Sequence, residues 1–312
     1  MQDSREIVTQ VQAIVPRLLR GAIDLHCHVD PEFHGGYRST DAVGLARDLT
    51  EYGMRAAVVK SIGIPSTGAA YVATHTGPGA TVFGSITLNN AVGGLNPPAV
   101  AAALRQGDGA RIVWMPSVDA RQHIQFFRSR GHTSAFYHTT PVEKSIAVLE
   151  GGKVKPEVRE ILRLIAANQR CLATSHLSPE ESLAVVEAAR EEGVERIVIT
   201  HPTWTVVNVS EEMMRRFVSM GAYLEHCLAM CEPHMSVFHK IEPTRMDLYV
   251  RLIKEFGAEH TVISTDAGNY DIPKPPEAMR VYLALLLESG VSEADLEIML
   301  KKNAAYLVGL DG

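Results

Sequence analysis

The stretch Ile23-Asp24-Leu25-His26-Cys27-His28 decides how the rest of the chain is read. It begins apolar and ends in two imidazoles spaced two residues apart. Alternate residues of a strand share a face, so His26 and His28 are expected to point inward together, with Cys27 turned out into a core. Asp24 is a candidate to orient one of these imidazoles, or a structural carboxylate.

Seven further runs have the same form, short, mostly rich in Val, Ile and Leu, and closed by a polar residue. They cover residues 56–60, 81–87, 111–117, 171–176, 196–201, 222–226 and 261–266. Such runs fit parallel strands buried on both faces. Helical patterns lie between them, at 41–52, 97–105, 156–168, 178–192, 210–220, 244–256 and 276–288, most of them stopped by a glycine. Strand then helix, repeated eight times, predicts an α/β fold of the (β/α)8 TIM-barrel type. One barrel domain is expected over 1–312, opened by an amphipathic helix over 1–20. One interval breaks the rhythm. Residues 118–155, between the fourth and fifth strands, read as an inserted loop, and Gly151-Gly152 predicts a small hairpin near its end. A loop leaving that end of a strand lies over the active-site face.

Composition narrows the function. The chain has 312 residues, 46% hydrophobic and 21% charged, enough for a large core and unlike a disordered segment. A net charge of −6 without a basic block argues against nucleic acid. No apolar run reaches the ~18 residues of a membrane span. Residues 1–20 lack the continuous apolar core of a signal peptide. Four cysteines without a C-x-x-C fit the reduced thiols of a cytoplasmic protein. A small-molecule substrate is the expected partner, and a homo-oligomer is a common assembly for barrels of this kind.

Chemistry in such a barrel sits at the C-terminal ends of the strands. Those ends carry His26 and His28 (first), Lys60 (second), His176 (fifth), His201 (sixth) and Asp266 (eighth). His26 and His28 are placed to share one divalent ion, and His176 and His201 to hold a second. Asp266 is placed to ligate and to accept a proton from activated water. Imidazole with carboxylate suits zinc, with manganese, iron or nickel as other fits.

This ordered set resembles the amidohydrolase superfamily, and within it an uncharacterised branch in which a lysine follows the second strand. Ile199-Thr200-His201-Pro202 and Ser264-Thr265-Asp266-Ala267-Gly268 are similar to its sixth and eighth strand ends, and residues 302–310 to its closing helix. The resemblance implies metal-dependent hydrolysis on a TIM barrel, with one or two ions per chain. It also marks a departure. Binuclear members usually bridge their metals with a carboxylated lysine or a Glu on the fourth strand, where this chain reads Val113-Trp114-Met115-Pro116-Ser117. Lys60 is left as a carbamylated bridge from another strand, as an ammonium that repels metals or holds a substrate carboxylate, or as a lysine reaching solvent.

The reading is therefore a hydrolase acting on an amide, lactone or related carbonyl bond of a small polar substrate. The alternatives are a mononuclear metal-dependent decarboxylase, which the missing fourth-strand lysine favours and His201 and Lys60 count against, a phosphoesterase, and a barrel that binds metal or ligand without turnover. Asp266 argues against the last, since a structural site needs no proton acceptor. Arg38, Arg121 and His226, which follows Glu225 at the end of the seventh strand, are the substrate-binding candidates, with Tyr270 and Lys274 weaker. Of the remaining histidines, His123, His132 and His138 share the insertion, and one of them is expected to line the pocket. His34, His75, His234, His239 and His260 lie off the strand ends and receive no role.

Overall fold

A computed structural model describes residues 4–32, 37–77, 79–131, 141–231 and 241–310. His34, His132, His138, His234, His239, Gly35-Gly36 and the middle of the insertion lie outside the described residues.

Eight parallel barrel strands stand where the apolar runs predict them. They are Ile23–Cys27, Ala56–Val59, a third in two pieces (Thr81–Phe83 and Ser85–Thr87), Ile112–Trp114, Cys171–Ala173, Arg196–Ile199, Tyr223–Cys227 and Thr261–Ser264. Each pairs in parallel with the next. The ring closes between the eighth and first strands, where His28 N donates to Ala267 O at 2.8 Å and Asp266 N to His26 O at 2.7 Å. The break in the third strand is Gly84, where a Cβ would lie 2.4 Å from Thr67 Cα at the start of helix Thr67–His75. Only glycine allows that approach.

Helices cover the outside, and their apolar faces pack on the outward residues of the strands in two large clusters. The interior is a third cluster. Leu25, Val58, Trp114, Ala173 and Val262 fill the barrel and meet Ala304, Leu307 and Val308 of the closing helix. That helix is pinned by Asn303, whose Nδ2 donates to Ala258 O and Thr261 O, each at 2.7 Å. The histidines of the strand ends, Lys60 and Asp266 gather at the opposite end.

The first strand carries an irregularity that matters for the site. Ile23 pairs with Ala56 and Asp24 with Ala57, but Cys27 pairs with Val59, so one extra residue is accommodated. A bulge re-aims side chains. Leu25 belongs to the interior cluster, yet Cys27 packs outside with the helices, and His26 and His28 face in. The insertion holds a helix, Arg121–Ser129, with His123, Ile124 and Phe127 buried, and a hairpin pairing Leu149–Glu150 with Lys153–Val154. Gly151 and Gly152 both take positive φ, as a tight two-residue turn requires. Among the described residues no helix is long and apolar enough to cross a membrane.

Candidate metal centre

The first and eighth strands are clamped together by Asp24. Its fully buried carboxylate accepts from the Thr265 hydroxyl, from Thr265 N at 3.1 Å and from His26 N at 3.2 Å. Burial pushes this carboxyl up to about 6, against the downward pull of those hydrogen bonds. Asp24 thus holds the backbone between His26 and Asp266 and touches neither imidazole of the pair through its side chain. Its expected role in orienting a ring gives way to one in strand register.

On that frame three donors converge. His26 Nε2 lies 3.0 Å and His28 Nε2 2.9 Å from the same oxygen, Asp266 Oδ1. Ligand atoms on a tetrahedral ion with ~2.0 Å bonds are separated by about 3.3 Å, so this set fits a divalent cation. Gly268 makes the approach possible, because a Cβ there would meet His28 O at 2.0 Å.

His176 and His201 complete the ring of imidazoles. Their strands are hooked together reciprocally, Ser175 N to Thr200 Oγ1 at 3.0 Å and Thr200 N to Thr174 Oγ1 at 3.1 Å. The ring centroids lie 5.2 Å apart, and His201 lies 6.1 Å from His26. Trp204 walls both rings at 4.9–5.0 Å. Both nitrogens of the fully buried His201 lack a hydrogen-bond partner among the described residues, which is costly for a polar ring unless something else binds it. Ser175, His201 and Asp266 all take positive φ (53°, 31° and 50°), so left-handed backbone at non-glycine residues gathers at the ends of the fifth, sixth and eighth strands.

Electrostatics follow from burial. It drives His28 down to about 3, and His176 and His201 well below their ordinary value, leaving three neutral rings. It draws His26 down as well, but Asp266 and Glu225 outweigh it and the net direction is upward. Burial would raise Asp266, yet His26 and His28 hold it well below the usual carboxylate range. Lys60 is buried among them, its Nζ 3.2 Å from His26 Nε2 and 4.6 Å above the Trp114 ring. Burial lowers its ammonium, against the pull of Asp266 and Glu225.

The substrate-binding candidates divide. Arg38 is buried at the rim, donates to Asn269 Oδ1, and lies in the field of Asp266 and His28. Arg121 is exposed at the start of its helix and is not brought to the centre. His226 is not brought to the centre. It faces away from the barrel, fully buried, with its ring 4.6 Å from that of Tyr249. The inward residues of the seventh strand are its neighbours Glu225 and Cys227, which meet His26 Nδ1 at 3.4 and 3.9 Å. Strand parity puts these two on the face opposite His226. Tyr270 is exposed, and Lys274 pairs with Asp48 at 2.9 Å. His123, one of the three insertion histidines of which one is expected at the pocket, has its Nδ1 2.9 Å from His176 Nδ1.

The model of a family of unknown function, DUF6282, matches residues 21–225. No curated protein matches the sequence. Among solved structures, the probable dipeptidase PvdM from Pseudomonas aeruginosa is 13% identical, with 99% of each chain covered and a TM-score of 0.59. An amidohydrolase from the same organism is 12% identical over 95% of this chain and 98% of that one, TM-score 0.57. A mutant of a PTE-like lactonase from Deinococcus radiodurans is 16% identical over 95% and 97%, TM-score 0.57. At these identities the likeness establishes the fold, the TIM barrel of amidohydrolase-type proteins.

Proposed function

The chain belongs to the DUF6282 family, and from that premise we propose that it is a metal-dependent hydrolase of the amidohydrolase type, acting on an amide, lactone or related carbonyl bond of a small polar substrate. The observation that carries the reading is the convergence of His26 Nε2, His28 Nε2 and Asp266 Oδ1 in a buried cluster, with His201, whose ring nitrogens have no hydrogen-bond partner among the described residues, beside them. Zinc suits this donor set, as do manganese, iron and nickel. When bound, such an ion polarises a carbonyl and acidifies water.

The chain's own residues supply the rest. Asp266 Oδ1 is held between two imidazoles, so Oδ2 is the oxygen that takes the proton of the attacking water and returns it to the leaving group. Arg38, at the rim, orients a substrate carboxylate. The four cysteines are buried free thiols, which supports a reducing, cytoplasmic setting.

Lys60 decides between one ion and two. Carbamylated by CO2, with loss of a proton from Nζ, it would present oxygens to two ions. As an ammonium 3.2 Å from His26 Nε2 it would itself stand in for the second charge. That proximity favours a second reading, a mononuclear decarboxylase, because among the described residues His26, His28 and Asp266 come together tightly enough to share an ion and His176 and His201 join no such group.

Metal analysis of protein purified without chelator, with intact mass and a panel of amides, lactones and carboxylates, tests these readings. Two ions per chain, a CO2 mass increment on Lys60 and hydrolysis abolished in Asp266→Asn are expected for the binuclear hydrolase. One ion and loss of CO2 from a substrate would establish the decarboxylase. No ion after supplementation would overturn both.

A further inference from the structure

Glu225 is an expensive residue in an unusual place. Its carboxylate is fully buried inside the barrel, and Oε1 has no hydrogen-bond partner among the described residues. Oε2 has one, His26 Nδ1 at 3.4 Å. Interior positions on the two flanking strands are filled by Val198 and Val262, so the packing of the barrel makes no demand for a carboxylate. A buried charge of this kind is weak support for stability, and an apolar residue of similar volume often does as well or better.

What Glu225 touches is one edge of His26. The opposite edge, Nε2, faces Asp266 Oδ1 at 3.0 Å and Lys60 Nζ at 3.2 Å. Trp114 covers the ring at 4.7 Å, and Cys227 Sγ closes the approach to Nδ1 at 3.9 Å. We propose that Glu225 is a positioning residue that fixes the tautomer and aim of His26 and thereby sets the affinity of the metal centre. This role presupposes the metal centre proposed above. Nδ1–H donates to Glu225 Oε2, which leaves the lone pair on Nε2, the edge that meets Asp266. A carboxylate behind an imidazole also raises the basicity of the nitrogen that ligates.

The same three side chains have a rival use. His26 Nδ1, Glu225 and Cys227 lie close enough together to grip an ion of their own beneath the first. The two uses differ in one ligand, Cys227 Sγ, which only the inner ion would engage.

The test uses the full chain and zinc alone, with affinity read by chelator competition and the His26 tautomer by ring-nitrogen NMR. Glu225→Leu is expected to weaken zinc by about 10- to 100-fold, while the metal-free variant melts no lower than the parent. Glu225→Gln keeps an acceptor oxygen and recovers part of the loss. If Glu225→Leu does not fold, Glu225→Gln carries the test, with a several-fold loss expected. Parent-like affinity and an unchanged tautomer in the variant that folds would overturn the role of Glu225 alone. A thiolate charge-transfer band in the cobalt-loaded parent, removed by Cys227→Ser, would overturn it in favour of the inner ion. A parent that binds no divalent ion would overturn the metal centre itself, and this role with it.

Discussion

The first and seventh strands end alike in sequence and differently in space. Asp24-Leu25-His26-Cys27-His28 sends both histidines into the barrel and its cysteine out. Tyr223-Leu224-Glu225-His226-Cys227 sends its histidine out and its glutamate and cysteine in. A histidine at a strand end is therefore no ligand by virtue of its place. The face decides, and on the first strand a bulge resets the face one residue before it matters.

The sharpest way to break this comparison is to exchange the consequences of the two histidines. His26→Ala is expected to lower activity by about 10³-fold or more and to abolish tight metal binding, with Asp266→Asn giving a loss of the same order. His226→Ala should leave metal content unchanged. Metal analysis beside a rate assay checks all three, and metal loss in His226→Ala would show that the parity assignment is wrong. A second effect is confined to the inward set. With free zinc at about 1,000 times its Kd, chelation should remove roughly 4 kcal/mol of stability, read as a lower denaturation midpoint. His26→Ala should show no such difference.

His226 makes its own prediction from the outer face. Burial pushes its imidazole down to about 3 from an ordinary 6.5. Between those values the unfolded chain binds a proton that the folded chain does not, so stability is complete above pH 6.5 and falls as the pH drops. The slope amounts to about 2 kcal/mol between pH 6.5 and 5. Neither ring nitrogen has a hydrogen-bond partner among the described residues. His226→Phe should therefore take its share off that part of the profile, measured by denaturant unfolding at several pH values, with the rest of the slope left to the other buried rings, His28, His176 and His201. An unchanged slope would mean that other groups carry it.

Most of the barrel was legible because its strands are buried on both faces and its helices carry strong apolar stripes. Leu45 and Leu49 of helix Ala42–Glu51, or Ile161 and Ile165 of Pro156–Ala167, declare themselves. Helix Thr67–His75 does not, because its buried residues are Thr67, Ala70 and Ala73 and its exposed face includes Tyr71 and Val72. Helix Arg121–Ser129 was obscured for a different reason, a single buried stripe of His123, Ile124 and Phe127 in an otherwise polar segment. The imidazoles at the strand ends could be picked out one by one from spacing. Their mutual support could not. Asp24 on Thr265, Thr174 on Thr200 and Glu225 on His26 are contacts between strands, and no local pattern encodes them.

The two arginines give the smallest effect and repeat the lesson at the rim. Arg38 and Arg121 are equally plausible from sequence, each in a loop near a strand end. Only Arg38 is buried beside the centre, tied to Asn269 just past the end of the eighth strand. A charge-assisted hydrogen bond to a substrate carboxylate contributes about 1.5–3 kcal/mol. Arg38→Ala is therefore expected to raise KM about tenfold or more for an acidic substrate, with a much smaller change for its neutral ester or amide. Arg121→Ala should leave both within about twofold, since an exposed side chain away from the pocket has no such bond to lose. The acidic-to-neutral ratio is the quantity to measure, because it cancels any general damage to the fold. If Arg38→Ala leaves that ratio unchanged, the buried guanidinium serves only to hold the first and eighth strand loops together.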